Sequence, residues 1–252
     1  MDIKNNSSQL KVSLSQSILS IQLNRPDKMN SFTFEMYRSL AEIIKEADKS
    51  DDVRVLLLSG SGGNFSAGND IKDFVTVVEE KGMSRDHDAP AFIDAMRNFS
   101  KPVIAAVDGF AVGIGVTLLL YCDLVYASKD AKFRTPFTQL GLCPEAAASY
   151  ILPKMMGRAR AAEWLLLGEG VSADQALKDG ILTQIVEKPV DVALEKAKIL
   201  SGLSPMAIKE TKRLMTFNNE ILKHTFDDEM KVFSQCLESE EARQAFEKFL
   251  KK

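Results

Sequence analysis

The sequence contains few cysteines and histidines. Its three cysteines, Cys122, Cys143 and Cys236, are odd in number and show neither a Cys-x-x-Cys pair nor the ligand spacing of a metal site. We therefore expect no disulfide framework, and a reducing cytoplasm fits best. The two histidines, His87 and His224, stand isolated in polar sequence and are expected to face solvent. The sequence thus predicts neither a histidine-based catalytic triad nor a metal centre.

An excess of positive charge and a long apolar run are also missing. The formal net charge is -3, whereas binding to phosphate polymers needs a broad basic field, so nucleic acid is not an expected partner. The longest apolar stretch, around Phe110 to Tyr121, is interrupted by glycines and Thr117. The first eight residues are mostly polar and contain no apolar h-region. Neither a membrane span nor an export signal is therefore predicted.

The sequence does contain enough apolar material for a folded core. Hydrophobic residues make up 45% and charged residues 27% of the 252-residue chain, a balance typical of globular proteins rather than disordered ones. Residues Leu10 to Leu23 form two β-like runs around a Ser-Gln-Ser break, which predicts a hairpin. The expected inward positions are Val12, Leu14, Ile18, Ile21 and Leu23.

An amphipathic helix is predicted after this hairpin, with Ser31 as its N-cap. Apolar side chains recur there at helical spacing, namely Phe32, Met36, Leu40, Ile43, Ile44 and Ala47. Further along, Val75 to Pro90 mixes charges with glycine and serine and has poor helical periodicity. We interpret that segment as a mobile cover.

Two short apolar runs, Val53 to Leu58 and Val103 to Val107, are typical of strands buried on both faces. Because helical segments separate them, parallel pairing through crossovers and an α/β fold class are predicted. Near position 190 the pattern becomes almost wholly helical. We therefore divide the chain into a core at 1–190 and a C-terminal helical region at 191–252.

Two glycine-containing turns follow predicted strands, at residues 64–71 and 109–117. Glycine lets the backbone approach a ligand closely, and a helix start leaves N–H groups unpaired, so two such turns can build an oxyanion hole. Glycines after strands also commonly make turns and nothing more. Neither turn is a nucleotide motif, because no Gly-Lys-Ser/Thr is present and Gly113-x-Gly115 lacks a third glycine.

Glu145 is the carboxylate of most interest, and its local sequence permits two interpretations. Pro144 followed by an acid is typical of an ordinary helix start that the helix macrodipole stabilises. The surrounding residues are apolar, among them Leu140, Leu142 and Ala146, so the same carboxyl could serve as a base whose pKa is tuned by burial. The residues alone leave both interpretations open.

Four ordered sequence blocks resemble the crotonase, or enoyl-CoA hydratase/isomerase, superfamily from about Leu10 to the C-terminus. They are LNRP with KMNS at 23–31, FSAGNDI at 65–71, KPVIAAVDG at 101–109 and CDL at 122–124. The resemblance implies a spiral of ββα turns with a C-terminal helical trimerisation region, assembled as a homotrimer or hexamer. It also implies an acyl-CoA substrate and no separate cofactor, since coenzyme A is part of that substrate.

The resemblance also assigns site residues. In the family two main-chain N–H groups hold the thioester oxygen, and the matching motifs put them at Asn69 and Ile114. Contacts with substrate and coenzyme A are implied for these two residues and for Arg25, Lys28, Ala67, Asp70 and Ile71.

The chain departs from the hydratases of this family, which use two glutamates. Thr117 and Phe137 stand at those positions. Pro144-Glu145 followed by small residues instead resembles the Δ3,Δ2-enoyl-CoA isomerases, particularly their peroxisomal type. This implies that Glu145, as a single base, moves a proton from C2 to C4 and converts 3-cis or 3-trans-enoyl-CoA into the 2-trans isomer during fatty acid β-oxidation. The chain ends in Phe-Leu-Lys-Lys rather than a Ser-Lys-Leu address, so a cytoplasmic enzyme is expected.

Two alternatives remain at this stage. One is another crotonase activity, such as enoyl-CoA hydration, dienoyl-CoA isomerisation or thioester hydrolysis, since a fold does not fix a reaction. The other is a noncatalytic acyl-CoA-binding or assembly scaffold that has lost both hydratase glutamates.

Overall fold

The structure, a computed structural model, describes residues 5–71 and 88–250. Most of the predicted mobile cover, Val75 to Pro90, lies outside the described residues, as does His87; residues 88–90 are described and begin a helix. His224 is exposed, as expected. Within the described ranges, no helix combines the length and the apolar character needed to cross a bilayer.

The described residues form nine strands and ten α-helices. The strands are β1 Leu10–Ser15, β2 Ile18–Leu23, β3 Val55–Gly60, β4 Val103–Val107, β5 Phe110–Val112, β6 Leu124–Ala127, β7 Lys132–Arg134, β8 Val171–Ser172 and β9 Gln184–Ile185. The helices are α1 Phe34–Lys49, α2 Asp88–Asn98, α3 Ile114–Thr117, α4 Ala148–Met156, α5 Arg158–Ala162, α6 Ala173–Lys178, α7 Pro189–Ser201, α8 Pro205–Met215, α9 Asn219–Leu237 and α10 Glu240–Leu250. Short 3-10 helices occur at Pro26–Lys28, Leu118–Tyr121 and Thr138–Leu140, and a π-helical turn occurs at Glu163–Leu167.

The strands form two sheets. The larger has six strands in the order β1-β2-β3-β4-β6-β9, and every neighbouring pair except β1 and β2 is parallel. A smaller sheet has the order β5-β7-β8. The alternation of parallel strands with helices confirms the predicted α/β class and the C-terminal helical region.

The first two strands confirm the predicted hairpin. Gln16 and Ser17 join them with φ values of 52° and 60°, as a two-residue turn matching the strand twist requires. Among the predicted inward positions, those on β2 are buried, whereas Val12 and Leu14 on the edge strand β1 are half-buried. Leu19, which was not predicted, is fully buried, because β2 lies inside the sheet and both its faces are covered.

The amphipathic helix α1 is confirmed, but its predicted cap is wrong. Thr33 is the N-cap, and its side chain accepts a hydrogen bond from the Met36 amide at 3.2 Å. Ser31 lies two residues earlier, where its carbonyl and hydroxyl oxygens accept hydrogen bonds from Arg25 at 2.8 and 3.1 Å. Both residues are good caps by residue type, but the oxygens of Ser31 are used by Arg25 and the hydroxyl of Thr33 caps the helix.

Two apolar layers cover the large sheet. The main core lies on one face and includes α1, α2 and much of α4 and α9. The second core lies on the other face, where Ala193 and Ala197 of α7 pack against Val55, Leu57 and Ile104. Helix α7 therefore belongs to the sheet, although it lies at the predicted boundary between 1–190 and 191–252; that division stays a prediction.

Candidate active site

The two glycine turns lie side by side. The Ser66 amide donates to the Phe110 carbonyl at 2.8 Å, and the Val112 amide donates to the Ser66 carbonyl at 2.9 Å. Gly68 has φ +91°, and a Cβ there would lie 2.8 Å from the Val112 oxygen. A Cβ on Gly115 would lie 2.9 Å from the Ser66 oxygen. Glycine at these two positions is therefore what lets the turns touch.

This arrangement leaves the main-chain N–H groups of Asn69 and Ile114 unpaired within the described residues. Phe32 pairs with Gly68 and Asp70 through its own amide and carbonyl, both at 2.8 Å, so the intervening Asn69 amide points away from the pairing. Ile114 is the first residue of α3, where helical amides lack an internal acceptor. Within the described residues neither amide has an acceptor. Such a pair of donors suits an oxyanion hole.

The side chain of Asn69 is fixed by a buried tyrosine. The Tyr37 hydroxyl donates to Asn69 Oδ1, and the Tyr37 ring stacks on Phe32 with 5.0 Å between ring centroids. The turn is therefore held by the Tyr37 side chain of α1 and by the main chain of Phe32, which precedes the helix and pairs with the residues on either side of Asn69.

Glu145 is not at the start of a helix, although its local sequence is typical of one. Helix α4 begins at Ala148 with Ala147 as its N-cap, whereas the Glu145 side chain is buried, with 8% of its surface exposed. Its Oε1 accepts a hydrogen bond of 2.5 Å from the Thr117 hydroxyl. A solvated helix-start charge does not match this position.

Burial has a large effect on the Glu145 carboxyl. The pKa of Glu145 is raised to about 8, chiefly by burial; the Thr117 hydrogen bond partly opposes this rise, and the nearby Glu229 contributes to it. Desolvation disfavours the charged form, whereas a donated hydrogen bond favours it. A carboxyl that titrates near neutral pH can both accept and return a proton.

The loop that carries Glu145 has an unusual backbone. Ala146 and Ala147 have φ values of 59° and 56°, a left-handed conformation that non-glycine residues seldom adopt. The Tyr121 hydroxyl donates to the Ala146 carbonyl at 2.6 Å. Glu229 of α9 accepts the Ala147 amide at 2.6 Å and the Ser149 amide at 2.8 Å. These contacts hold the loop in place.

Sequence reasoning missed Glu229 and Tyr121. A signal for Glu229 was present, because it lies between Phe226 and Phe233 on the buried face of α9, and an acid at an apolar helix position is seldom buried without a partner. Nothing local in the sequence indicates the contact between Tyr121 and Ala146.

Asn69 and Glu145 line the same small pocket. Its walls come from α1, α2 and α9 as well as from the two loops. The lining residues are Tyr37, Asn69, Ala89, Pro90, Ile93, Glu145, Phe226, Met230 and Phe233. Ile114 is not among them, but it lies on the same short helix as Thr117, which contacts Glu145.

The residues predicted to contact coenzyme A lie on two neighbouring loops. Arg25 forms an ion pair of 3.0 Å with Asp70, which joins the loops. The Ala67 amide donates to the Met29 carbonyl at 2.8 Å. Lys28 is exposed and Ile71 is half-buried against the core. The Arg25 guanidinium is used in internal contacts, so it organises these loops, and the coenzyme contacts stay predictions.

Thr117 and Phe137, which stand where the resemblance puts the two glutamates of the hydratases, have different surroundings. Phe137 is buried, with 5% exposure, and so adds apolar surface rather than an acid. Thr117 is fully buried and contacts Glu145 directly. The cysteines are free, and the Cys143 thiol lies against that of Cys236. In residues 5–71 and 88–250 no cluster of three metal-ligating side chains occurs.

Comparisons with known proteins agree with this architecture. The enoyl-CoA hydratase/isomerase family profile matches residues 13–252. Among solved structures, Pseudomonas aeruginosa OdaA superposes with a TM-score of 0.93 at 41% identity, covering 98% of this chain and all of the other. The predicted crotonase resemblance and fold are thereby confirmed.

Two curated relatives carry different isomerase names. Enoyl-CoA delta isomerase 2 of Rattus norvegicus is 37% identical over 84% of this chain; the match covers 55% of the rat protein, so the chain spans about half of that relative's length. The 1,2-epoxyphenylacetyl-CoA isomerase of Escherichia coli is 39% identical over 73% of this chain and 72% of its own.

Proposed function

The chain belongs to the enoyl-CoA hydratase/isomerase family, and on that premise we propose that it is a Δ3,Δ2-enoyl-CoA isomerase of fatty acid β-oxidation. The substrate is a 3-cis or 3-trans-enoyl-CoA and the product is the conjugated 2-trans-enoyl-CoA. The observation that carries the proposal is the buried carboxyl of Glu145, which shares its pocket with Asn69.

The reaction begins at the thioester. The amides of Asn69 and Ile114 donate to the carbonyl oxygen, which increases the acidity of C2. Glu145 then removes a C2 proton, and the charge of the resulting dienolate rests on that oxygen. An oxyanion donor of this kind typically lowers a barrier by about 3 kcal/mol.

The same carboxyl completes the shift. Protonated Glu145 delivers its proton to C4, so the C2–H bond breaks, a C4–H bond forms and the double bond moves into conjugation with no net change in protons. A pKa of about 8 suits both steps, because the carboxylate takes up the proton and its acid form holds it. The apolar walls, including Phe226 and Met230, exclude water that would protonate the intermediate elsewhere.

The relatives support an isomerase but leave room for a second candidate. The E. coli relative is named for 1,2-epoxyphenylacetyl-CoA, so isomerisation of that thioester is the competing activity. Hydration is less well supported, because Thr117 and Phe137 replace the two acids that position water. We propose no cofactor beyond the coenzyme A of the substrate.

The test compares three thioesters with the purified protein. We expect 3-hexenoyl-CoA to be converted to the 2-trans isomer, with little hydration of 2-trans-hexenoyl-CoA and little turnover of 1,2-epoxyphenylacetyl-CoA. Absorbance of the conjugated thioester and chromatography of the products measure each reaction. Rapid hydration of the 2-enoyl substrate, or turnover of the epoxide alone, would refute the assignment.

We further propose a cytoplasmic homotrimer or hexamer. The free cysteines fit a reducing compartment. Helix α8 has no buried residue, and Met206, Leu214 and Met215 are each more than 70% exposed on it, an apolar surface of the kind that subunit contacts cover. Light scattering on the eluted protein measures the assembly, and a monomer at micromolar concentration would contradict it.

A further inference from the structure

Glu229 is a buried carboxylate that the proposed reaction does not use. It lies in the middle of α9, with 7% exposure. Its two oxygens accept the amides of Ala147 and Ser149, which follow Glu145 in the chain. Among the described residues no lysine, arginine or histidine forms an ion pair with it. Burial raises the pKa of Glu229, and the two backbone amides, rather than a cation, stabilise its charged form.

Burying a carboxyl in this way costs free energy unless hydrogen bonds replace its lost hydration. The two amides belong to the first turn of α4 and its cap, where backbone donors lack internal acceptors. Glu229 thus fills the place of an N-cap that Ala147, with its methyl side chain, does not provide.

The segment that Glu229 binds is also the strained one. Ala146 and Ala147 both have positive φ, and a left-handed backbone costs about 1–2 kcal/mol for each such residue. Tyr121 holds the first of them by its carbonyl and Glu229 holds the second by its amide. Without these contacts the backbone would relax, and the direction of the preceding Glu145 side chain would change with it.

We propose that Glu229 is a positioning residue for Glu145: by binding the amides of Ala147 and Ser149, it fixes the base in the pocket that Asn69 also lines. The inference rests on the proposed isomerase function. Helix α9 therefore contributes to the chemistry, not only to the pocket walls. A long-range contact across 82 residues of sequence sets the direction of the base.

Electrostatics add a second consequence, which gives the proposal a distinct signature. The groups that face Glu145 are the Thr117 hydroxyl from α3 and the Glu229 carboxyl from α9. Tyr121 lies near both glutamates, and Asp94 and Arg97 of α2 act on it. Because the negative charge of Glu229 raises the pKa of Glu145, removal of that charge lowers this pKa.

The main test is Glu229→Gln. The amide keeps one acceptor oxygen but turns an NH2 group toward one of the two backbone donors, so one bond is lost. We expect kcat for 3-hexenoyl-CoA to fall about 10²-fold, as a small misplacement of a catalytic group does, with KM within twofold of wild type. The acid limb of the pH–kcat profile should move to lower pH.

A second variant separates the effect of the charge at position 229 from the effect of side-chain length. Glu229→Asp keeps the negative charge but is one methylene shorter, so it cannot bridge both amides from the same backbone position. We expect kcat to fall with KM unchanged while the acid limb stays near its wild-type position. Asp228→Asn is the matched control, since it removes an exposed carboxylate from the adjacent position of α9; its kinetics should equal those of the wild type.

A readout independent of turnover distinguishes failure of the proposed function from failure of the inference about Glu229. The Glu145 carboxyl is titrated by 13C NMR in protein with labelled glutamate, and its signal is assigned by its loss in Glu145→Gln. An inactive wild type refutes the proposed function alone. Unchanged kcat and an unchanged Glu145 titration in Glu229→Gln overturn the inference, and so does a fall in melting temperature without a shift in that titration. If Glu229→Gln does not fold, the kcat and KM of Glu229→Asp decide.

Discussion

The two sides of the pocket are built in different ways. One side, the main-chain wall, consists of the turns at 66–69 and 112–115, which carry the unpaired amides of Asn69 and Ile114. The other, the side-chain wall, consists of the 145–149 loop and α9. The first is fixed by close backbone packing between two turns, because Gly68 and Gly115 leave no room for a Cβ. The second is fixed by side-chain hydrogen bonds from Tyr121 and Glu229 to the backbone of the loop.

The difference matters for what each wall tolerates. A backbone amide is present whatever the side chain, so the side chain at Ile114 can vary without loss of the donor, whereas a methyl group at Gly68 forces the two turns to shift. On the other wall the side chain itself is the reagent, and its surroundings set its pKa. Substitutions should therefore affect binding of negative charge on one side and proton transfer on the other.

The largest expected effect is on the side-chain wall. Glu145→Gln keeps the shape of the side chain but cannot take up a proton, so we expect kcat to fall by about 10³-fold or more while KM changes little. Steady-state kinetics with 3-hexenoyl-CoA measure this. Exposed Glu220 offers a control, since Glu220→Gln removes a carboxylate far from the pocket. Retained turnover in Glu145→Gln would show that the carboxyl takes no part in the reaction.

The main-chain wall should respond next. Gly68→Ala introduces a Cβ 2.8 Å from the Val112 oxygen at a φ of +91°, which pushes the turns apart and misplaces the Asn69 amide. Loss of an oxyanion donor typically lowers kcat about 10²-fold. The pH of half-maximal kcat should stay unchanged, because Glu145 keeps its surroundings.

Gly63→Ala is the matched control for that change. Gly63 has φ +74°, but nothing lies within 4 Å of the added Cβ. It therefore introduces backbone strain without a clash, and we expect a melting temperature below wild type with kcat unchanged. If both variants lost activity equally, strain and not the contact between the turns would explain the result at Gly68.

A smaller effect is expected where the two walls meet, at Thr117. Thr117→Val keeps the volume but removes the hydroxyl that donates to Glu145. That bond lowers the pKa of Glu145, so its loss raises this pKa above about 8. The active base is the ionised form, which exists above the pKa; the acid limb should therefore move to higher pH. A hydrogen bond to a charged group is worth about 1.5 kcal/mol or more, so kcat at pH 7 should fall about tenfold.

Thr117→Ser supplies the control, because it keeps the hydroxyl and loses only a methyl group. We expect its pH profile to overlay that of the wild type. Should valine and serine give the same profile, the hydrogen bond would have no influence on the base, and burial alone would account for its titration near neutral pH.

The contrast between the walls also explains how much the sequence could predict. The parallel strands β3 and β4 and the glycine turns depend on local patterns, namely short apolar runs followed by glycine. The burial of Glu145 depends on α9, which follows it by many residues, and its local sequence fits a helix start equally well. The cap of α1 shows a similar limit, because Ser31 and Thr33 are both favourable caps by residue type, while in the structure Ser31 bonds to Arg25 and Thr33 caps the helix.

The smallest expected effect lies at the Arg25–Asp70 ion pair, which links the two loops predicted to contact coenzyme A. Both side chains are 17% exposed, so the pair is screened only in part and its loss should cost about 1 kcal/mol. Asp70→Asn should raise KM for 3-hexenoyl-CoA about threefold, the kinetic equivalent of part of that energy, with kcat unchanged.

The exposed Asp27, in the same turn as Arg25, gives the control Asp27→Asn. The thioester of N-acetylcysteamine lacks the nucleotide, so its KM should be equal in all three proteins; an equal rise for both thioesters would mean that the ion pair orders the catalytic turn rather than the coenzyme contact.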